Sequence, residues 1–394
     1  MELNLFKNIW VIIQLFVGYN LVFPLLLLLF YIIFKKKVLQ VNNTQGDYAI
    51  IITAYEQVHT IQSVVDSVLQ LHYQNFLVYI VADNCNTSQL NFNDERIILL
   101  RPETVLASNT RSHFYAIKNF KRPHNRLTII DSDNIVSVDY LDQLNIYFNA
   151  GFSAVQGVRN PKNLNNTLAC LDAARDIYYH FYDGLILFGA GSSATLAGSG
   201  MAFTTELYTT CLANLSIEGA GFDKVLQNEI VKRGFRIAYA SKAEVLDEKT
   251  TNSDQLIKQR ARWINTWFRY FKFGFGILLN GLIKFNWNKI LFGYVLLRPP
   301  LFIFLAMSFM CFAIDLFIFP NQILYWAIAF FLFVVGFILS LLLSKTNKLI
   351  YRSLWGIPFF IFHQLQSLLK VNKANQLSIA TKHSFQDSND SHAH

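Results

Sequence analysis

The chain has 394 residues, of which 53% are hydrophobic and 15% are charged, and its formal net charge is +8. This length exceeds that of one small domain, and the apolar content is above the usual range of soluble proteins. Composition therefore favours a membrane protein that also carries a water-soluble domain.

The excess positive charge fits either a nucleic acid partner or an anionic membrane surface. Basic residues lie beside apolar runs, as Lys35, Lys36 and Lys37 do after the first run and Lys345 and Lys348 after the last. The middle of the chain has no basic stripe with interleaved aromatic residues. We therefore expect membrane lipid as a partner and no nucleic acid.

The first apolar run extends from Ile9 to Phe34 without a charged residue, which is long enough to span a bilayer. It is too long for the core of a signal peptide, and lysines replace the small residues of a cleavage site. Residues 1–40 are therefore predicted to form a transmembrane anchor. The lysines place its C-terminal end in the cytoplasm.

Residues 47–255 alternate short apolar runs with amphipathic stretches, which predicts an α/β domain with a mostly parallel sheet flanked by helices. In such sheets, ligands bind at the carboxyl ends of the strands. The predicted strands are Tyr48–Thr53, Phe76–Ala82, Arg96–Leu100, Leu127–Ile130, Ser153–Gly157 and Arg236–Tyr239. Helical patterns between them cover Val58–Leu71, Thr110–Lys118 and Val138–Phe148.

Apolar runs return near the C-terminus. We expect residues 256–289 to form interfacial helices, residues 290–345 a transmembrane hairpin, and residues 346–394 an interfacial helix with a polar tail. The hairpin's first run is interrupted by Arg298 and two prolines, which predicts a broken or late-starting helix with Arg298 reaching the cytoplasmic interface. The flanking charges predict a multi-pass protein of the inner (plasma) membrane, with the middle domain in the cytoplasm.

Two predicted strands end in acids: Asp83 follows one, and Asp131 and Asp133 follow another. The Asp-x-Asp spacing puts both side chains on the same side of an extended backbone. Two such carboxylates can hold a divalent cation together with phosphate oxygens. In the alternative interpretation, Asp133 caps the next helix and Asp83 opens a turn.

Two later segments also carry suitable chemistry. Asp223 lies in the glycine-rich segment Gly219–Lys224 before a helical run, where the alternative is a helix N-cap. Gln259-Arg260-Ala261-Arg262-Trp263 offers an arginine fork for a pyrophosphate and an indole face for a sugar ring. Here the alternative is an amphipathic helix at the membrane surface.

The order of these elements resembles the membrane-embedded family 2 glycosyltransferases, which include cellulose, hyaluronan and chitin synthases and smaller bacterial enzymes. The resemblance covers about Tyr48–Phe271 and the arrangement of the apolar runs. It implies a GT-A type fold and a hexosyltransferase that inverts the anomeric carbon. The implied donor is a nucleotide diphosphate sugar, namely a UDP-sugar, and the implied acceptor is lipid-linked or a glycan.

The resemblance also implies residue roles. Asp223 matches the catalytic base, and Asp131 and Asp133 match the ligands of a divalent cation, Mg²⁺ or Mn²⁺. The residues matched to donor binding are Tyr55, Asp83, Asp131, Gln259 and Arg262, and those matched to acceptor binding are Gly198, Ser199, Gly200 and Trp263.

The chain departs from the family pattern at three places. The first strand ends in Thr53-Ala54-Tyr55-Glu56-Gln57, no second acid follows Asp83, and Phe222 stands where an acid often precedes the base. An alternative function is a catalytically inactive membrane subunit of a polysaccharide assembly complex, although the intact acids favour an enzyme. Because three spans from one chain are too few to enclose a polymer channel, an oligomer or a partner subunit would be needed to form one.

Overall fold

The structure is a computed structural model that describes residues 2–35, 44–371 and 374. The polar tail expected at the C-terminus, together with Lys36 and Lys37, lies outside the described residues. The described strands are β1 (Tyr48–Tyr55), β2 (Phe76–Asp83), β3 (Ile97–Leu100), β4 (Arg126–Asp131), β5 (Ile135–Val136), β6 (Ala154–Pro161), β7 (Met201–Thr204) and β8 (Ile237–Asp247).

These strands form one mixed sheet in the order β3-β2-β1-β4-β7-β6-β8-β5. The strands β1, β2 and β4 pair in parallel and are buried almost throughout, as expected for apolar runs covered by helices on both faces. The strand β7 enters antiparallel between β4 and β6. All six predicted strands are confirmed, whereas β5 and β7 were missed because they are too short to show alternation.

The helices are α1 (Glu2–Phe34), α2 (Ile61–Leu69), α3 (Asn109–Lys118), α4 (Tyr140–Asn149), α5 (Thr167–Tyr179), α6 (Leu187–Gly189), α7 (Thr205–Leu212), α8 (Phe222–Lys232), α9 (Ser253–Tyr270), α10 (Phe273–Ile283), α11 (Trp287–Leu297), α12 (Leu301–Ile318), α13 (Ile323–Leu343), α14 (Lys348–Ser353) and α15 (Ile357–Leu368). A π-helical turn, His180–Ile186, joins α5 to α6.

Among the described residues, three helical segments are long and apolar enough to cross a membrane: Lys7–Phe34, Leu301–Ile318 and Pro320–Leu343. The first lies in α1 and the second is α12. The third consists of a short turn followed by α13. The helices α9 and α10 occupy the region expected to be interfacial, and α11 begins at its end and continues into the region predicted as the hairpin. The helix α10 leaves apolar side chains such as Phe275 and Leu279 exposed. Contact of these side chains with a membrane surface stays a prediction.

The three long apolar helices share one buried carboxylate. Asp315 of α12 is fully buried. It accepts hydrogen bonds of 2.8 Å from Trp10 Nε1 and Gln14 Nε2 of α1 and from Trp326 Nε1 of α13. Because a buried carboxylate without partners is costly, these three donors explain how the acid is tolerated among apolar helices.

The expected break before α12 is confirmed, but the expectation for Arg298 is wrong. Its guanidinium does not reach an aqueous interface; it is buried and forms an ion pair with Asp183 in the π-helical turn. Burial opposes the charge, but Asp183 more than offsets this effect and raises the pKa of Arg298 above its ordinary value. Asp183 thus takes the place of water as the partner of Arg298.

Candidate active site

A cavity of about 630 Å³ opens at the carboxyl ends of β1 and β4. Its walls include the ends of these strands, the start of α8, one face of α9 and the segment between α11 and α12. Asp131, Asp133, Asp223 and Arg262 all line it, although they are separated by up to 131 positions in the chain. The structure thus brings together the acids and the arginine that the sequence predicted as one site.

The two acids of the Asp-x-Asp element lie where β4 ends. Asp131 is the last residue of β4 and is paired in register with Thr53 of β1. Asp133 does not cap the following helix, because α4 begins at Tyr140 with Asp139 at the N-cap position. The structural alternative for Asp133 is therefore wrong.

These two carboxylates suit a divalent cation that also binds a phosphate. Within the described ranges, no three His, Cys, Asp or Glu side chains form a metal-binding group. Mg²⁺ commonly binds one or two protein carboxylates and takes its other ligands from water and substrate phosphates. Asp131 and Asp133 fit such a shared site, because both acids border a cavity with room for a phosphate-bearing substrate.

The segment expected to bind the acceptor lies mostly behind the cavity wall. Gly198 lines the cavity, but Ser199 and Gly200 are buried. Ser199 Oγ accepts a 3.0 Å hydrogen bond from the backbone N–H of Asp131. Ser199 and Gly200 do not line the cavity, and Ser199 fixes the end of β4; acceptor contact by this segment stays a prediction.

Asp223 is the second residue of α8, not its N-cap. The N-cap is Gly221, whose φ of +106° is a left-handed conformation. A Cβ atom at Gly221 would lie 2.6 Å from the Tyr270 ring of α9, so glycine also permits this close approach. Lys224 Nζ lies 3.0 Å from the Asp223 carboxylate and donates to Leu196 O at 2.9 Å. The N-cap alternative is therefore wrong, and Lys224 fixes the acid in the cavity.

The Gln-x-x-Arg-Trp element lies on α9, and Gln259, Arg262 and Trp263 line the cavity. Burial lowers the pKa of Arg262. Sequence analysis missed Arg260, which is only 2% exposed and forms an ion pair with Asp172 of α5. Its guanidinium lies 4.0 Å from the centroid of the Trp263 ring, so one face of the indole is already covered.

A larger group of charged residues, which we call the charged wall, was also missed. It consists of Arg159, Asp172, Arg175, Asp176, Asp247, Lys249 and Arg260 and is joined by ion pairs. Lys249 Nζ, for example, lies 2.6 Å from Asp176 and 2.8 Å from Asp247. Burial opposes the charge of Asp176, but Arg175 and Lys249 hold its pKa well below the usual range.

A signal for part of this wall was present in the sequence. Asp172, Arg175 and Asp176 follow the i, i+3, i+4 spacing of one helix face. Such a charged stripe usually marks the solvent-exposed side of a helix. Here the same stripe faces the interior because α9 packs over it, a contact that spacing alone does not reveal.

Asp83 lies apart from the main cavity, in a small adjoining depression that shares Thr53 and Tyr55 with it. The Asp83 side chain is 2% exposed, and its carboxylate accepts from the backbone N–H groups of Leu106, at 2.9 Å, and Ala107, at 2.7 Å. The expected turn with Asn84 is not formed by this carboxylate. Asp83 instead fixes a loop in which Ala107 has a φ of +45°.

We expect Asp83→Asn to lower the stability of the protein and to weaken the binding of every donor to the same extent. An amide nitrogen facing a backbone N–H leaves a buried donor unsatisfied, which costs about 1–3 kcal/mol of folding stability. The measurements are thermal unfolding and the Kd values for UDP- and GDP-sugars. The control is Asp94→Asn, because Asp94 forms only a local, half-exposed pair with Arg96. A changed UDP-to-GDP preference at unaltered stability would instead indicate direct contact with the base.

A cavity with paired carboxylates at a strand end, a separate acid and an arginine from a following helix is typical of glycosyltransferases with the GT-A fold. Residues 45–266, more than half of the chain, match the family model described as Glycosyltransferase like family 2. The chain belongs to this family, whose members transfer a sugar from a nucleotide-sugar donor.

One solved enzyme supports this fold. The mannosyltransferase PcManGT from Pyrobaculum calidifontis, in complex with GDP-Man and Mn²⁺, is 14% identical, with a TM-score of 0.56. The match covers 92% of this chain and 98% of that chain. Residues 1–349 of TarS from S. aureus match with 14% identity and a TM-score of 0.41, over 83% of this chain and 90% of that chain. No curated protein is a significant sequence match.

Proposed function

We propose that the protein works at the inner face of the plasma membrane, where it transfers a hexose from a UDP-sugar to a lipid-linked acceptor with inversion. Asp223 is the base, Asp131 and Asp133 hold Mg²⁺ or Mn²⁺, and Arg262 binds the diphosphate. The fold relationship to an enzyme that was solved with a nucleotide sugar and Mn²⁺ supports the donor class and the divalent cation.

The shape of the cavity carries the proposal for the acceptor. The lining that includes Asp131 and Asp223 continues to Leu296, Leu301 and Phe302, at the break between α11 and α12. Because α12 is one of the helices apolar enough to cross a membrane, this end of the cavity suits the apolar part of a lipid. A purely water-soluble glycan would gain little from these side chains.

The chemistry requires one protein base. The nucleotide diphosphate leaves as an anion, so no acid is needed to protonate it, in contrast to a glycosidase. Arg262 stabilises the charge that develops on the leaving group, and Asp223 accepts the proton of the attacking hydroxyl. A divalent cation at Asp131 and Asp133, when bound, would neutralise part of the diphosphate charge.

A donor and acceptor screen with the purified full chain in detergent tests this function. UDP- and GDP-sugars are offered with Mg²⁺, Mn²⁺ or EDTA, together with lipid-linked or free glycan acceptors. We expect cation-dependent turnover with a UDP-sugar and a lipid-linked acceptor. Donor binding without turnover of any donor would instead support an inactive subunit.

A further inference from the structure

The charged wall contains one more cation than it has carboxylates. Its cations are Arg159, Arg175, Lys249 and Arg260, and its acids are Asp172, Asp176 and Asp247. His180 beside it is buried, which lowers the pKa of the imidazole to about 4, so this side chain is neutral at pH 7. Asp131 and Asp133 also act on Arg159 and compensate its positive charge, so an anion would be held here by hydrogen bonds from the arginines rather than by excess charge.

Three of these arginines also have unused hydrogen-bond donors. Nε and Nη1 of Arg260, Nε of Arg175 and Nε of Arg159 are buried and have no hydrogen-bond partner among the described residues. Leaving such a buried donor unsatisfied is costly, and more so when the group is charged. Burial lowers the pKa of Arg260 to about 9, so the single carboxylate of Asp172 does not fully offset the desolvation.

The Trp263 ring covers Arg175 and Arg260. Its ring centroid lies 4.0 Å from the Arg260 guanidinium and 4.4 Å from that of Arg175. The Trp263 side chain lines the cavity and is 38% exposed, so part of the indole faces the cavity. Rotation of this side chain would uncover the unused N–H groups toward the cavity.

Arg175 adjoins the apolar end of the cavity through Tyr179. The Tyr179 ring lies 5.6 Å from the Arg175 guanidinium and 5.9 Å from that of Arg298. Tyr179 Oη accepts a 2.9 Å hydrogen bond from the backbone N–H of Leu301, the first residue of α12. One aromatic ring therefore separates Arg175 from the start of a helix that is apolar enough to span a membrane.

Asp223, the proposed base, lies at the start of α8, which approaches the C-terminal half of α9. Gly221, two residues before Asp223, contacts Thr266 and Tyr270. Thr266 is about 9 Å from Arg260 along the helix axis, at 1.5 Å per residue. The cavity thus has space for a hydroxyl-bearing headgroup between the two arginines and the base.

We infer that Arg175 and Arg260 bind the phosphate of the acceptor, which is a glycan joined to a lipid through a phosphate. This inference rests on the proposed function. Trp263 turns aside to admit the phosphate, and the lipid chain leaves along α12. The phosphate serves only for binding and does not react. A glycan hydroxyl at Asp223 forms the new bond to the anomeric carbon and gives its proton to Asp223, while the donor's C–O bond breaks and its electron pair leaves with the diphosphate.

Arg175→Gln is the main test, because Asp176 keeps Lys249 as a partner when Arg175 is lost. Two acceptors are compared: a monosaccharide joined to a long-chain alcohol through a phosphate, and the matched glycoside without the phosphate. We expect the KM for the phosphate-bearing acceptor to rise at least about tenfold, the equivalent of one strong contact. The KM for the matched glycoside and the donor Kd should change less than about twofold.

A second variant is designed so that misfolding does not obscure the result. The double change Arg260→Gln with Asp172→Asn removes both members of a buried pair, so no lone charge remains. We expect the same selective rise in KM, whereas Arg96→Gln, at a surface pair, should change neither KM.

Three results would overturn the inference. Equal changes for both acceptors would show a merely structural role, and a weakened donor Kd would assign the arginines to the donor site. Wild-type preference for the phosphate-free acceptor would exclude a role of the phosphate in binding. Each of these leaves the transferase function intact, whereas absence of turnover with every donor and acceptor would contradict the proposed function together with the inference.

Discussion

Asp223→Asn is expected to abolish sugar transfer while the donor still binds. An asparagine keeps the size of the side chain and its place beside Lys224, but it cannot take the proton of the acceptor hydroxyl. General base catalysis contributes typically about 10²–10⁴-fold to a rate, so kcat should fall by this factor. Transfer rates at saturating donor and the donor Kd measure the two effects separately.

The chain offers a matched control for this variant. Asp254 is also the second residue of its helix, α9, and is exposed to solvent. Both substitutions remove a negative charge from a helix N-terminus, which changes stability by about 0.3–1 kcal/mol at most exposed sites. Only Asp223→Asn should lose activity. Wild-type transfer by the Asp223 variant would refute its assignment as the base.

Asp133→Ala should remove the dependence of donor binding on a divalent cation. A cation bound between protein carboxylates and phosphates stabilises the complex by several kcal/mol, so affinity should fall by more than about 100-fold. The measurement is the donor Kd with Mn²⁺ and with EDTA. In wild-type protein the two values should differ widely, and in the variant they should converge on the weaker one.

Asp139→Asn provides the control here, because Asp139 lies on the same segment but at the N-cap position of α4, where its side chain makes no cap hydrogen bond. This variant should keep the cation dependence of the wild type. Equal donor affinity with and without cation in the wild type would contradict a metal role for both Asp131 and Asp133.

The elements of the fold that sequence predicted well are those with strong periodicity or long apolar runs. The strands β1, β2 and β4 were found because both of their faces are buried, which gives uninterrupted apolar runs. The strand β7 has only four residues, and its antiparallel entry depends on pairing with distant strands. No local pattern specifies that pairing.

The candidate site divides in a similar way. Asp131, Asp223 and Arg262 were expected together because the order of their motifs resembles that of family 2 glycosyltransferases; the strand ends by themselves predicted only that acids lie at one edge of the sheet. Long-range contacts supplied what the sequence did not predict: Ser199 accepts from the Asp131 amide, and Arg298 pairs with a carboxylate 115 positions away. Such long-range partners are set by packing, and residue type and spacing do not encode them.

The hydrogen bonds to Asp315 give the first helix a structural role in addition to anchoring. Two of the three donors to this acid, Trp10 and Gln14, come from one turn of α1, on the same helix face. Replacing α1 with an unrelated apolar segment of equal length would leave the carboxylate with a single donor in apolar surroundings. The N-terminal helix therefore belongs to the folding unit, and we expect water-soluble versions that lack it to be less stable.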